Sequence, residues 1–317
     1  MKLKMFTIII CIQIVAIVVL FLQIQFKKNN VLRVSKNSIR SNAIQAVQNG
    51  VLKYFFEPMA DLVETVHKDW LSEGAVYTLN SDSLNETKEY SITKPKGTFR
   101  IITLGDSFTF GQNISTPHNW TELLEAYLNT HNTCEKIKQF EVINLGVYAY
   151  DTQYEVERYR LRGVKYKPDL AIWTFTDFER ILEQMMPLVK KYDNAENKEW
   201  ERNGVYYHNW RVAREEMLKN IGKKGVIQFQ KEQIGSLDVL YNGSLLYVVL
   251  DNYPEYLNIL SDKANSRPHT SYLQSGIHYN QKQFFLADSH FNKKGHQKMM
   301  EEIVGALQKN NLLPCGK

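Results

Sequence analysis

Three residue types that together do acyl-transfer chemistry stand in this sequence at telling places. In "FRIITLGDSFTFGQ", residues 99 to 112, an apolar run breaks at Gly105 and sets Asp106 and Ser107 at its end. In "FLADSHFNKKGH", residues 285 to 296, Asp288 stands two positions before His290, just ahead of a final amphipathic segment. A serine hydroxyl is a poor nucleophile until a histidine accepts its proton, and the imidazole needs an acid to fix its tautomer and orientation. A lone Gly-Asp-Ser is more often a turn. A phosphate-cradling loop is the sharper rival, because Ser107, Thr109 and Gly111 precede a helix in an α/β pattern. Such a loop has no use for the distant Asp288 and His290. His296 reads as a helix-packing residue.

These residues need a scaffold that brings distant segments to one place. The apolar runs at 99–104, "FEVINLG" and "PDLAIWTF" read as strands, separated by helical "NWTELLEAYLNTH" and "TQYEVERYRLRGVKY". Strand and helix in alternation imply a parallel sheet with right-handed crossovers, whose functional residues gather at the carboxyl ends of its strands. Ser107, Gly146 and Asp177 all fall just past such ends. "SLLYVVL" fits a strand or a helix, and "GHQKMMEEIVGALQKNN" a closing amphipathic helix. Before the first of these strands, Ala43, Val47, Val51, Phe55, Met59, Leu62, Val63 and Val66 recur at three- or four-residue steps and predict one kinked or two paired helices over 38–72. Residues 75–96 read as one or two edge strands.

The four blocks "GDSFTFG", "VINLGVYAY", "KPDLAIWTFTD" and "DSHFNKKGH", in that order, resemble the SGNH or GDSL hydrolases over roughly residues 97–310. The resemblance implies a three-layer α/β/α sandwich, flavodoxin-like in its parallel sheet. It makes Ser107 the nucleophile, His290 the base and Asp288 its orienting acid. Ser107 and Gly146 would supply oxyanion-hole N–H groups. Where the family carries an Asn-Asp pair this chain has Thr176-Asp177, so the third oxyanion donor would be the shorter Thr176 hydroxyl. Ala149 stands where many relatives have glycine. The implied activity is that of a serine esterase, for example a deacetylase of cell-surface glycan. An acyltransferase on the same fold, or a weakly catalytic binding or assembly protein, remains open beside it.

The 317-residue chain is 44% hydrophobic with a formal net charge of +5, and Lys2 and Lys4 account for two of those charges. Basic residues so scattered argue against a nucleic-acid binder. No cysteine and histidine spacing suggests a metal site, no cofactor motif is present, and no feature fixes an oligomeric state. Residues 5–26 carry no charge and lie between Lys2 and Lys4 on one side and Lys27 and Lys28 on the other. At 1.5 Å per residue they are long enough for a bilayer core of about 30 Å. The division expected is therefore a membrane anchor at 1–28, an extension at 29–96 and the hydrolase-like domain at 97–317, held outside the cytoplasm. Cys134 and Cys315 are either a disulfide suited to such a compartment or two unrelated thiols; the family fold is expected to bring them near each other. Sequons begin at Asn85, Asn113, Asn119 and Asn242. The aromatic clusters at 205–210 and 252–257 suggest either a sugar-stacking platform or buried loop anchors.

Overall fold

The structure is a computed structural model that describes residues 33–36, 44–192, 206–250 and 254–315. The apolar run and the expected anchor at 1–28 lie outside these residues. Among the described residues no helix is long and apolar enough to cross a membrane.

Five strands form one sheet: β6 (Thr98–Leu104), β7 (Gln139–Asn144), β8 (Leu170–Phe175), β9 (Ser244–Val249) and β10 (Thr270–Gln274). Their spatial order is β10-β9-β8-β6-β7, and every neighbouring pair is parallel. The ambiguous "SLLYVVL" is therefore a strand. It reads as continuous apolar sequence because, like β8, it is covered on both faces. Alternate residues divide between two cores. Ile101, Val142, Ile172 and Leu246 face α2 (Trp120–Thr130) and the last helix, α7 (Lys293–Lys309). Ile102, Ile143, Trp173 and Tyr247 face the other layer, which contains α3 (Thr152–Arg158), α4 (Leu182–Tyr192), α5 (Tyr206–Leu240, kinked at Gly222) and α6 (Pro254–Ser266). This is the three-layer sandwich that the resemblance implies. From β6 the chain moves first to β7 on one side and then to β8 on the other, so the strand order reverses at β6. The crevice at its carboxyl end is where such sheets bind ligands.

Among the described residues 44–72 the expected helices are not there. Strands β2 (Ile44–Ala46), β3 (Phe56–Pro58) and β4 (Leu62–His67) occupy this region, with β1 (Arg33–Lys36) before it and β5 (Ala75–Leu79) after it. β1 pairs parallel to β4, β4 antiparallel to β5, and β2 antiparallel to β3. Inward residues of β4 alternate as Leu62, Glu64 and Val66, a period of two that the charge at Glu64 conceals. Glu57 in β3 is likewise buried, paired with the guanidinium of Arg158 in α3 and 2.8 Å from that of Arg162. Burial pushes its carboxyl up, and the two arginines more than offset this, holding it below the usual range.

Cys134, after α2, and Cys315, after α7, form a disulfide with Cα atoms 4.4 Å apart. The bond joins the two helices that cover one face of the sheet. Three sequon asparagines are buried and bonded. Asn85 Nδ2 donates to the carbonyl of Phe110, and Asn119 Nδ2 donates to the carbonyls of Thr109 and Phe110. Asn113 is engaged in the site, and Asn242 is exposed.

Candidate active site

Ser107 is the first residue of α1 (Ser107–Phe110), a single turn that follows β6. Asp106 caps it, its carboxylate accepting from the Phe108 N–H at 3.1 Å. The bend between strand and helix requires Gly105, whose φ is +153° and whose added Cβ would lie 2.0 Å from Thr174 Oγ1. Gly111, at φ +87°, ends the turn, so the hydroxyl of Ser107 is presented on a short, doubly capped support.

His290 arrives from the other end of the chain. Its loop is tied by the Leu286 N–H donating to the His290 carbonyl at 2.7 Å, with Ser289 at φ +68°. A bridge between Phe285 and Phe291 closes the loop, and Asn292 caps α7 behind it. The ring of His290 lies 5.2 Å from that of Phe108. Its Nε2 is 2.9 Å from Ser107 Oγ, and its Nδ1 is 2.8 Å from Asp288 Oδ2. A carboxylate only accepts, so Nδ1 carries the proton and Nε2 is left to accept from the serine. Burial pushes the Asp288 carboxyl up, but the hydrogen bonds and charge of His290 pull it below the ordinary aspartate value. Asp288 is ionised wherever the imidazole needs it. The three residues expected from their types and spacing thus meet in one hydrogen-bonded line.

Two of the expected oxyanion residues, Gly146 and Thr176, are placed differently. The N–H of Gly146 donates to the side chain of its neighbour Asn144 at 2.9 Å. Gly146 is a contact point instead: an added Cβ would lie 2.4 Å from the backbone nitrogen of Phe110, so glycine lets this loop pack directly on α1. Thr176 donates its one hydroxyl proton to Asp106 Oδ2, which leaves none for an oxyanion. The N–H of Ser107 has no acceptor among the described residues, and neither has that of Ala149, which sits at φ +63° in the loop after β7. That conformation favours glycine.

Several residues at the site carried no signal in the sequence. Arg180 is 3.3 Å from Asp106 Oδ2, 3.2 Å from Asp177 Oδ2, and 2.9 Å from the carbonyl of Tyr150. Asp177 also accepts from Arg214 at 2.9 Å, so the Asp177 of the third block anchors an ion network rather than facing the serine. Asn113 Nδ2 donates to Asp288 Oδ2 at 2.6 Å. His296 is buried behind His290; its Nδ1 accepts from the Trp120 N–H at 3.2 Å, and burial holds it neutral, its pKa lowered to about 3. No group of three or more metal-binding side chains is arranged to hold an ion among the described residues. Of the aromatic clusters, Tyr256 is stacked in the core on Phe178, with ring centroids 4.8 Å apart, and Trp210 packs half-buried against the same core. Neither residue forms an open platform; the other aromatic side chains of the two clusters, at 206, 207 and 253, lie outside what the structure describes. Tyr279, 37% exposed, stands edge-on to Phe108 with centroids 6.4 Å apart.

No protein-family profile matches the chain, and no curated protein matches it in sequence. Solved structures are similar to it at low identity. TesA is 13% identical, with 68% of this chain and 99% of that one covered and a TM-score of 0.43. A lipase/acylhydrolase from Enterococcus faecalis is 12% identical, with 69% and 99% covered and a TM-score of 0.44. Axe2, an acetylxylan esterase from Geobacillus stearothermophilus, is 10% identical, with 69% and 96% covered and a TM-score of 0.41.

Proposed function

We propose that this chain is a serine ester hydrolase in which Ser107 is the nucleophile, His290 the general base and Asp288 the acid that orients the imidazole. The observation that carries the reading is the hydrogen-bonded line from Ser107 Oγ through both nitrogens of His290 to Asp288 Oδ2. In the forward step Nε2 takes the hydroxyl proton as Oγ attacks the ester carbonyl. The imidazolium so formed is stabilised by Asp288 and then protonates the leaving alcohol, and water resolves the acyl-enzyme by the reverse sequence. The N–H of Ser107 is one oxyanion donor, and that of Ala149 is the second candidate in place of Gly146 and Thr176.

The substrate class proposed is an acetylated glycan. Tyr279, 37% exposed and packed edge-on to Phe108 and at a tilt against Phe285, puts a partly exposed aromatic ring beside the His290 loop. The acetylxylan esterase among the similar structures accords with this class. The apolar run at 5–26 is proposed as a membrane anchor with the domain outside the cytoplasm, a compartment in which the Cys134–Cys315 bond persists. Hydrolysis of p-nitrophenyl acetate by the full chain in detergent tests the reading. Ser107→Ala is expected to lower turnover at least ~10³-fold, and equal turnover in the two proteins would refute it.

A further inference from the structure

We propose that Asn113 is a positioning residue for the Asp288 carboxylate, and that the N-terminal sheet, through Tyr77, holds it there. This rests on the hydrolase reading above and extends its hydrogen-bonded line by one member from outside the four sequence blocks. Asp288 Oδ2 accepts from two side chains, His290 Nδ1 at 2.8 Å and Asn113 Nδ2 at 2.6 Å, while its Oδ1 accepts from the His290 N–H at 3.2 Å. A carboxylate on a short loop rotates about its last side-chain torsion, which is broad. Donors on both oxygens stop that rotation and keep Oδ2 in line with the imidazole.

Asn113 is itself fixed from behind. It is 4% exposed and sits at φ +63°, a conformation that asparagine tolerates better than most residues. Its backbone N–H donates to the Tyr77 hydroxyl at 2.7 Å. Tyr77 belongs to β5 and is fully buried against Phe110, with ring centroids 5.1 Å apart. Two further bonds lock β5 to the same stretch: Val76 N–H to Ser115 Oγ at 3.0 Å and Thr78 N–H to Thr116 Oγ1 at 2.9 Å. A left-handed, buried asparagine that spends its amide on the acid of the line is a constraint that a plain surface turn does not need. The charged and titratable groups around Asp288 are His290 on its own loop, Lys68 after β4 and Tyr77 in β5. Glu64 acts on Lys68 and Tyr77, and His296 is acted on by both His290 and His118.

The test uses the full chain in detergent with p-nitrophenyl acetate and two variants compatible with the left-handed backbone. Asn113→Gly deletes the donor; kcat is expected to fall about tenfold with KM held within about twofold, the cost of one charge-assisted hydrogen bond. Its proton NMR spectrum should lose or broaden the downfield imidazole N–H signal of His290. Asn113→Asp keeps size and sets a second carboxylate against Asp288. The added negative charge favours protonation of the hydrogen-bonded line, and the acidic limb of kcat/KM should move up by about one pH unit. The proposal is overturned if Asn113→Gly keeps both kcat and the downfield signal and Asn113→Asp leaves the acidic limb in place. If Asn113→Gly does not fold, the limb of Asn113→Asp decides. If wild-type turnover only equals that of Ser107→Ala, the hydrolase reading fails. The downfield signal then decides by itself: its loss in either variant supports the placement of Asn113, and its survival in both refutes it.

Discussion

Breaking the bond between Cys134 and Cys315 is expected to destabilise the domain far more than removing any single surface contact. The cysteines are separated by 181 positions and close a loop that contains every strand of the main sheet after β6 together with the His290 loop. On the chain-entropy model a loop of this length restricts the unfolded chain enough to contribute about 5 kcal/mol. Some of the tail stays in place without the bond, because Leu307, Leu312 and Leu313 pack in the same cluster as Leu128 and Phe140. The full entropic value is therefore the upper limit. For domains of this size 1 kcal/mol corresponds to roughly 2–4 °C, so the double variant Cys134→Ser/Cys315→Ser should melt lower, by at most about 10–20 °C. The assay is thermal unfolding followed by circular dichroism, with the oxidised state of the wild-type protein verified by non-reducing mass spectrometry. A difference under ~2 °C, with the bond verified, would refute the loop-closure reasoning.

Two other substitutions read different parts of the site. Thr176→Val keeps the shape of the side chain and removes the hydroxyl that donates to the buried Asp106, so a loss of about 2 kcal/mol in denaturant unfolding is expected; an unchanged midpoint would show that Arg180 and the Phe108 N–H suffice for that carboxylate. His296 is neutral in the fold with its pKa lowered from 6.5 to about 3, so between these values the unfolded chain binds the extra proton and wild-type stability falls as pH is lowered. Relative to His296→Leu, the wild-type protein should lose up to about 1.4 kcal/mol per pH unit across that window. Parallel stability curves for the two proteins would contradict this.

How far the sequence could be read depends on how locally each feature is encoded. Strands β6, β7 and β8 are legible because a parallel strand buried on both faces is a nearly unbroken apolar run, and the glycines at 105 and 146 mark where two of the chain's turns must pack tightly. Ser107, Asp288 and His290 are legible because their chemistry restricts residue type. The N-terminal region misleads for a physical reason: Glu57 and Glu64 are buried in β3 and β4, and Val51 is 68% exposed, so polarity and burial part company there. Thr176 is the subtler case. Its position in the third block is as expected, but its only proton goes to Asp106, a partner no local pattern names. Asn113 is beyond local reading altogether, because its partners lie in β5 and in a loop 175 positions away.

The buried asparagines decide how this protein can be produced. In a secretory pathway that attaches glycans to Asn-X-Ser/Thr, sugars reach the chain as it emerges, before it has folded. A glycan is bulky and must stay at the surface. On Asn85, Asn113 or Asn119 it would occupy space that the fold fills with Phe110, Asp288 and the end of α1, whereas Asn242 alone of the four has room for it. A eukaryotic secretion host should therefore yield misfolded, retained material that is rescued when glycan transfer to the chain is inhibited, while a bacterial host needs no such treatment.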